Sequence, residues 1–109
     1  MPEQLVIEPL EREPGFRVAG ELDLLTVPQL RDALSGAGIQ GPDVVLDFSD
    51  VSFVDSSGLG LLLSTAKTRE AQGGSLVVRA PSPTVRRLFG IAIPDGVPGL
   101  VVDPDPAPA

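Results

Sequence analysis

A run of apolar residues in the middle of the chain constrains the fold more than any other feature. Residues 43–48 read DVVLDF, a pattern typical of a strand that is buried on both faces. A helical pattern follows from about Ser56 to Gln72, and Gly73-Gly74 ends it. Its apolar stripe consists of Leu59, Leu62, Leu63 and Ala66. Strands that alternate with helices pair in parallel through right-handed crossovers, so the chain is predicted to form an α/β domain.

The N-terminal part of the chain predicts a hairpin and then a helix. One strand runs from Gln4 to Leu10, the other from Phe16 to Leu22, and the turn residues Glu13-Pro14-Gly15 predict an antiparallel pair. A helix is expected next, because Thr26 is a good N-cap and Gln29, three residues later, completes a capping box. Its apolar stripe would consist of Val27, Leu30, Leu34 and Ala37.

The segment after the long helix predicts another strand and a short helix. The strand spans residues 75–79. The helix has Ser82 as its N-cap and Pro83 at its first position, and Gly90 is expected to end it. The residues expected to face inward are Val85, Leu88 and Phe89.

The complete order of predicted elements is ββαβαβαβ, in one domain that spans residues 1–102. A last short strand covers residues 97–102, and residues 103–109, DPDPAPA, are expected to form a disordered proline-rich tail. We expect a mixed β-sheet of four to five strands with helices packed on it. Its inner strands should include residues 44–48 and 75–79.

The residue types that the chain lacks exclude several kinds of chemistry. None of the 109 residues is His, Cys, Trp or Tyr. Without His a Ser-His-Asp triad cannot be built, and without Cys or His a zinc or iron–sulfur site is excluded, so we expect no metal and no cofactor. A net charge of −7, with four Phe as the only aromatic residues, argues against binding of nucleic acid, which needs basic patches and stacking platforms.

The acidic residues are concentrated in the first half of the chain. Residues 1–55 carry eleven acidic side chains and three arginines, whereas residues 56–109 carry four acidic and five basic side chains. This asymmetry indicates either one electronegative face or a solvated acidic surface. No stretch approaches about 18 consecutive apolar residues, and the N-terminus lacks a signal-peptide pattern, so we expect a cytoplasmic protein without direct membrane insertion.

Residues 55–60, DSSGLG, carry most of the functional information. They lie where the buried strand ends and the helix begins, at the edge where open α/β sheets usually bind ligands. Ser56 and Ser57 place two hydroxyls at a helix N-terminus, and Gly58 and Gly60 leave room for another protein to approach. The structural alternative is that the acid or a serine caps the helix and the glycines allow close helix–strand packing. The run lacks the Lys and the glycine spacing of a Walker A loop.

Four segments together resemble one known family. Residues 51–62, VSFVDSSGLGLL, closely resemble the signature of the STAS-domain anti-sigma factor antagonists. Three further segments resemble that family in order and spacing, namely residues 20–23 (GELD), 44–48 (VVLDF) and 82–89 (SPTVRRLF). The resemblance spans about residues 4–102. A lone DSSG would mean little, but four ordered matches are specific.

The resemblance implies a partner-switching protein rather than an enzyme. Members of the family bind an anti-sigma factor, an ATP-dependent serine kinase of the histidine-kinase-like ATPase fold, and so free a sigma factor. That kinase phosphorylates the first serine after the motif Asp, which is Ser56 here, and the complex dissociates. Ser57 is less often the main acceptor. A PP2C-type phosphatase restores the serine.

The other candidate residues would contribute to partner binding. Glu21 and Asp23 fall at a strand-to-helix turn that should flank Ser56, where they would contact a basic partner or simply be solvated. Asp55 would cap the helix or orient Ser56. The predicted partner-binding residues are Glu21, Asp23, Asp55, Ser57, Gly58 and Gly60.

Two features separate this chain from the family pattern, and two other functions stay open. Residues 90–96 are rich in helix breakers, and DPDPAPA follows the last strand where many members have a closing helix.

The same fold could serve as a STAS subunit of a lipid-transport complex or as a stressosome-like scaffold, with the serine unused. An enzyme is disfavoured, because Lys67 lies eleven residues along the helix from Ser56, roughly 16 Å away and too far to act as its base.

Overall fold

A computed structural model describes residues 5–36 and 41–105 and confirms the predicted order of elements. Within these ranges the strands are β1 (Val6–Pro9), β2 (Gly15–Leu22), β3 (Val44–Val54), β4 (Leu76–Arg79) and β5 (Leu100–Asp103). The helices are α1 (Val27–Leu34), α2 (Ser56–Ala71) and α3 (Pro83–Ala92). Gln4, Ala37 and residues 106–109, which entered the predictions above, lie outside the described residues.

The strands form one mixed sheet in the order β1-β2-β3-β4-β5. β1 and β2 pair antiparallel as the predicted hairpin, and the other three neighbouring pairs are parallel. The predicted inner strands, at residues 44–48 and 75–79, are therefore confirmed. Each parallel crossover moves the chain one strand further in the same direction, and right-handed crossovers of this kind place their helices on one face of a sheet.

The hydrophobic core lies on that helix-covered face. It joins alternate residues of β3, among them Val44, Leu46 and Phe48, to buried residues of all three helices. The buried helix residues in the core are Val27, Leu30, Leu34, Leu61, Leu62, Ala66, Val85 and Phe89. Val45 faces the opposite side of the sheet, where it is outside this cluster yet only 7% exposed. The predicted burial on both faces is therefore confirmed for the central strand.

The opposite face carries a row of alternating charges across all five strands. Its members lie side by side in the register of the sheet and are Glu8, Arg17, Asp47, Arg79 and Asp103. The side chain of Arg79 is 12% exposed and donates to Glu13 at 3.2 Å. This hydrogen bond is the main reason why the pKa of Glu13 lies below its ordinary value. Glu8 and Glu13, both from the acidic first half, form ion pairs with Arg17 and Arg79 of this row.

Strand β3 is longer than the sequence predicts. The apolar run ends at Phe48, but β3 continues to Val54. Its second half pairs in parallel with the end of β2, from Asp50 beside Ala19 to Val54 beside Leu22, with one register shift between Gly20 and Glu21. Because this half contains several polar residues, the sequence shows no clear strand pattern there. Its strand conformation depends on the pairing with β2.

Two boundaries in the last third also differ from the prediction. α3 does not end at Gly90 but continues to Ala92, because Gly90 lacks the positive φ of a helix-ending glycine. β5 starts at Leu100 rather than at residue 97. Asp103, predicted as the first residue of the disordered tail, is the last residue of β5, since it pairs with Arg79 in the register and lies 3.7 Å from its guanidinium.

Candidate functional site

The segment DSSGLG begins α2 directly after β3, at the edge where β2 also ends. β2 and β3 are parallel neighbours, and the register places Leu22 beside Val54. The backbone N–H of Asp55 donates to the carbonyl oxygen of Leu22 at 3.0 Å. The start of α2 therefore lies against residues 23–26, the turn that follows β2. The structure brings the predicted residues of both segments to one edge of the sheet.

Asp55 connects the start of α2 to that turn through hydrogen bonds. Its backbone is extended, with φ −94° and ψ −174°, and its Oδ1 accepts from the N–H of Gly58 at 2.9 Å. The predicted capping role is confirmed. Its other oxygen, Oδ2, accepts from the N–H of Leu24 at 3.2 Å. Both carboxylate oxygens thus bind backbone N–H groups, one in the helix and one in the turn.

Ser56 and Ser57 differ in how far they reach solvent. Ser56 is the first residue of α2 and is exposed, whereas Ser57 is only partly exposed. The first N–H groups of a helix point away from it and favour negative charge nearby. Ser56 therefore presents its hydroxyl to solvent at a position that can accommodate an anion.

The two glycines of the segment have different surroundings. Gly58 is buried, and a Cβ built on it would lie 2.7 Å from the carbonyl oxygen of Leu22 and 2.8 Å from its Cγ. Gly60 is exposed, and a Cβ there would meet nothing within 4 Å. The packing interpretation thus applies to Gly58, which lets α2 approach β2 closely. A contact of either glycine with a partner stays a prediction.

The predicted capping box of α1 is wrong. Thr26 makes no side-chain cap hydrogen bond, because its backbone is already helical, with φ −101° and ψ −17°, whereas a capping residue needs an extended backbone. Its buried hydroxyl donates instead to the carbonyl oxygen of Glu21 at 2.7 Å. The side-chain oxygen of Gln29 accepts instead from the N–H of Leu5, the residue before β1, at 3.0 Å.

Asp23 caps the turn that leads into α1. Its Oδ1 accepts from the N–H of Leu25 at 3.0 Å and from the N–H of Thr26 at 3.1 Å. Its backbone carbonyl oxygen accepts from the N–H of Val27 at 2.8 Å. Asp23 is therefore a structural residue of the turn, whatever it contributes to a partner.

We expect Asp23→Ala to lower the free energy of unfolding by about 1 kcal/mol, because the N–H of Leu25 loses its acceptor and the N–H of Thr26 keeps only the backbone carbonyl oxygen of residue 23. Asp23→Asn retains an oxygen at that position and should stay close to wild type. Urea unfolding of both variants measures the difference. Equal stability of Asp23→Ala and wild type would mean that the carboxylate is not needed to hold the turn. In a binding experiment, Asp23→Asn removes the charge but keeps the capping oxygen, whereas Asp23→Ala removes both. Only the Asn variant therefore tests the charge alone.

Sequence reasoning missed two apolar residues at this edge. Leu24 and Leu25 follow Asp23 in the turn, and they are 71% and 74% exposed. Turns between strands and helices favour polar residues and glycine. Two adjacent leucines in such a turn were therefore the available signal in the sequence.

Two features are absent from the described part of the chain. Residues 5–36 and 41–105 include no group of three or more acidic side chains that could hold a metal ion. In the same ranges, no helix combines the length and the apolar character needed to cross a bilayer.

The comparison with known proteins identifies the family to which this chain belongs. The family model described as "Mlab, STAS domain" matches residues 9–101, and the chain belongs to this family. It is 40% identical to the anti-sigma-B factor antagonist of Bacillus subtilis (strain 168) over 81 residues, which cover 74% of each chain.

Two solved structures of SpoIIAA are also similar to this chain. The unphosphorylated anti-sigma factor antagonist SpoIIAA matches with a TM-score of 0.69 and 34% identity, covering 90% of this chain and 86% of its own. The phosphorylated form of the Bacillus cell fate determinant SpoIIAA matches with a TM-score of 0.62 and 32% identity, covering 90% and 89%.

Proposed function

We propose that this chain is an anti-sigma factor antagonist controlled by phosphorylation of Ser56. The unphosphorylated form binds an anti-sigma factor, a serine kinase of the histidine-kinase-like ATPase fold, and so frees a sigma factor. The kinase phosphorylates Ser56 and the complex dissociates; a PP2C-type phosphatase reverses the reaction. The observation that carries the proposal is the exposed Ser56 at the first position of α2, next to the cap residue Asp55.

The similar proteins support both parts of this proposal, the antagonism of an anti-sigma factor and the control by phosphorylation. The Bacillus subtilis relative is named an antagonist of an anti-sigma factor, and the similarity to it covers 74% of this chain. SpoIIAA has been solved in an unphosphorylated and a phosphorylated form, and both resemble this chain in fold. A protein with this architecture can therefore carry a phosphoryl group without losing the fold.

The chemistry assigned to this chain is that of a phosphoryl acceptor. The Ser56 oxygen attacks the γ-phosphorus of ATP bound to the kinase, the bond to the β-phosphate oxygen breaks, and ADP leaves. The hydroxyl proton passes to a base on the kinase or to water. The N-terminal N–H groups of α2 then stabilise the phosphate, because a helix N-terminus favours anions. The kinase supplies the nucleotide and the catalytic groups, and this chain supplies the nucleophile.

We expect phosphorylation at Ser56 when the protein is incubated with Mg-ATP and the correct kinase. The test uses each histidine-kinase-fold ATPase encoded in the source genome, purified, followed by intact-mass measurement and phosphopeptide mapping. Ser56→Ala should abolish the mass increase, and the neighbouring variant Ser57→Ala should still be modified. Three results contradict the proposal: a phosphate on Ser57, full modification of Ser56→Ala, or no modification by any of these ATPases.

A further inference from the structure

The exposed leucines of the β2–α1 turn point to a docking function. We infer that Leu24 and Leu25 form an apolar anchor that inserts into the kinase partner and supplies much of the binding energy. The inference rests on the proposed function and adds which residues determine affinity. It assigns binding to a turn that is separate in sequence from the phosphoryl acceptor.

The first observation is the exposure of two large apolar side chains at one place. Leu24 is 71% and Leu25 is 74% exposed, whereas Leu22, two residues earlier, is fully buried. Single exposed apolar residues are common on protein surfaces and need no explanation. Here two large apolar side chains that are adjacent in sequence are both exposed, at the edge that also carries Ser56 and where a partner is expected.

The second observation is that the turn is held in one conformation. The N–H of Leu24 donates to Asp55, and the N–H of Leu25 donates to Asp23. The Thr26 hydroxyl donates to the Glu21 carbonyl at 2.7 Å and accepts from the N–H of Asp23 at 3.0 Å. A turn fixed in this way loses little conformational freedom on binding, so its apolar side chains contribute more to affinity.

The third argument is the closeness of the turn to Ser56, which indicates the partner that would cover the leucines. A kinase that phosphorylates Ser56 must bring its active site to the start of α2. A standard interface covers about 800 Å² per partner, roughly a disc of 16 Å radius. Leu24 is hydrogen-bonded to Asp55, the residue directly before Ser56, so it lies well within such a disc. The protein that reaches the acceptor therefore also covers this turn.

The charges around the anchor define the surface that it fits. Asp23 and Asp55 place two carboxylates next to the leucines, because they accept hydrogen bonds from the N–H groups of Leu25 and Leu24. The complementary partner surface is an apolar pocket bordered by Lys or Arg, which is the usual arrangement of an apolar interface core with a polar rim.

We expect Leu24→Ala and Leu25→Ala each to weaken binding of the phosphorylating ATPase about tenfold or more, as observed for buried anchors at interfaces. The anchor acts equally in the bound complex and in the transition state, so KM for the protein substrate should rise by a similar factor while kcat changes less than about twofold. Titration calorimetry and steady-state phosphorylation measure these values. Thermal unfolding should stay near wild type, because both side chains are exposed.

Matched variants separate the anchor from general surface effects. Ile91→Ala removes a side chain that is 75% exposed on α3 and should leave affinity and KM unchanged. Leu24→Met and Leu25→Met keep the apolar volume and should retain binding. Loss of affinity in Ile91→Ala equal to that in the leucine variants would overturn the inference.

The outcomes also distinguish this inference from the proposed function. If the leucine variants bind and are phosphorylated like wild type while Ser56→Ala is not modified, the anchor is wrong and the proposed function stands. If none of the ATPases binds or modifies the wild-type protein, the proposed function fails, and the anchor fails with it.

Discussion

Ser56→Asp should weaken binding of the proposed anti-sigma kinase by about ten- to a hundredfold, whereas Ser56→Ala should stay bound even when ATP is present. A phosphoryl group adds about −1.5 to −2 charge at pH 7. This charge would lie beside Asp55, whose two oxygens are held by backbone N–H groups of Gly58 and Leu24. The carboxylate therefore cannot turn away without breaking its cap.

The magnitude follows from the electrostatics of an interface. Two like unit charges about 6 Å apart, at an effective dielectric constant of about 20, repel by roughly 3 kcal/mol. Salt screening and partial exposure reduce this to about 1.5–3 kcal/mol, which corresponds to the expected range of affinities. The helix N-terminus stabilises the phosphate within the free protein, so the penalty falls on the complex. The partner is then released by charge and bulk, without a rearrangement of the fold.

Titration of the kinase against wild type, Ser56→Ala, Ser56→Asp and the phosphorylated protein measures these differences. Ser64→Asp is the matched control, because it adds the same charge to an exposed position of α2 about 12 Å further along. Tight binding of Ser56→Asp together with weak binding of phosphoserine would mean that phosphate geometry, rather than charge alone, causes release. Unchanged binding of the phosphorylated protein would contradict partner switching for this chain.

Gly58→Ala and Gly60→Ala should change stability in opposite directions, although both replace glycine in the same helix. We expect Gly58→Ala to lower the free energy of unfolding by about 1–3 kcal/mol, since its methyl group overlaps the Leu22 carbonyl. Gly60→Ala should raise that free energy by about 0.5–1 kcal/mol, because alanine loses less backbone entropy in a helix and its methyl group meets no other atom.

Thermal and urea unfolding of the two variants provide the measurement. For a domain of this size, a change of 1 kcal/mol shifts Tm by about 4–8 °C, so the two variants should differ clearly. Relief of the overlap at Gly58 requires α2 to move away from β2, which also displaces Ser56. Gly58→Ala should therefore reduce phosphorylation, and Gly60→Ala serves as its control. A Gly58→Ala protein as stable as Gly60→Ala would mean that α2 and β2 are not tightly packed there.

The element order and several helix ends could be predicted from local patterns. The apolar run at residues 44–48 identified the central strand, and the side chains of Asp55 and Ser82 identified two helix starts. Gly73, with φ +83°, follows the end of α2 as expected. These features depend on residues close in sequence, whose hydrogen bonds and periodicity do not require the rest of the fold.

Predictions failed where a residue had a better partner from another segment. The α1 capping box matched the sequence pattern, but Thr26 binds Glu21, and Gln29 binds Leu5. The apolar stripe of α2 is also rotated, because Leu61 is buried while Leu59 and Leu63 are only partly buried. Sequence patterns predict hydrogen bonds between residues that are close in sequence. In the folded protein, residues from distant segments compete for the same side chains.

The sequence by itself determined the α/β class, the order of strands and helices and the position of Ser56 at a helix start. Only the tertiary structure decided that Gly58 packs against Leu22 while Gly60 is open, and that a charge row crosses the sheet. It also decided that Leu24 is fixed to Asp55 at the same edge. The reason is physical: strand register and helix–sheet distance bring together residues far apart in the chain, and no local period encodes those contacts.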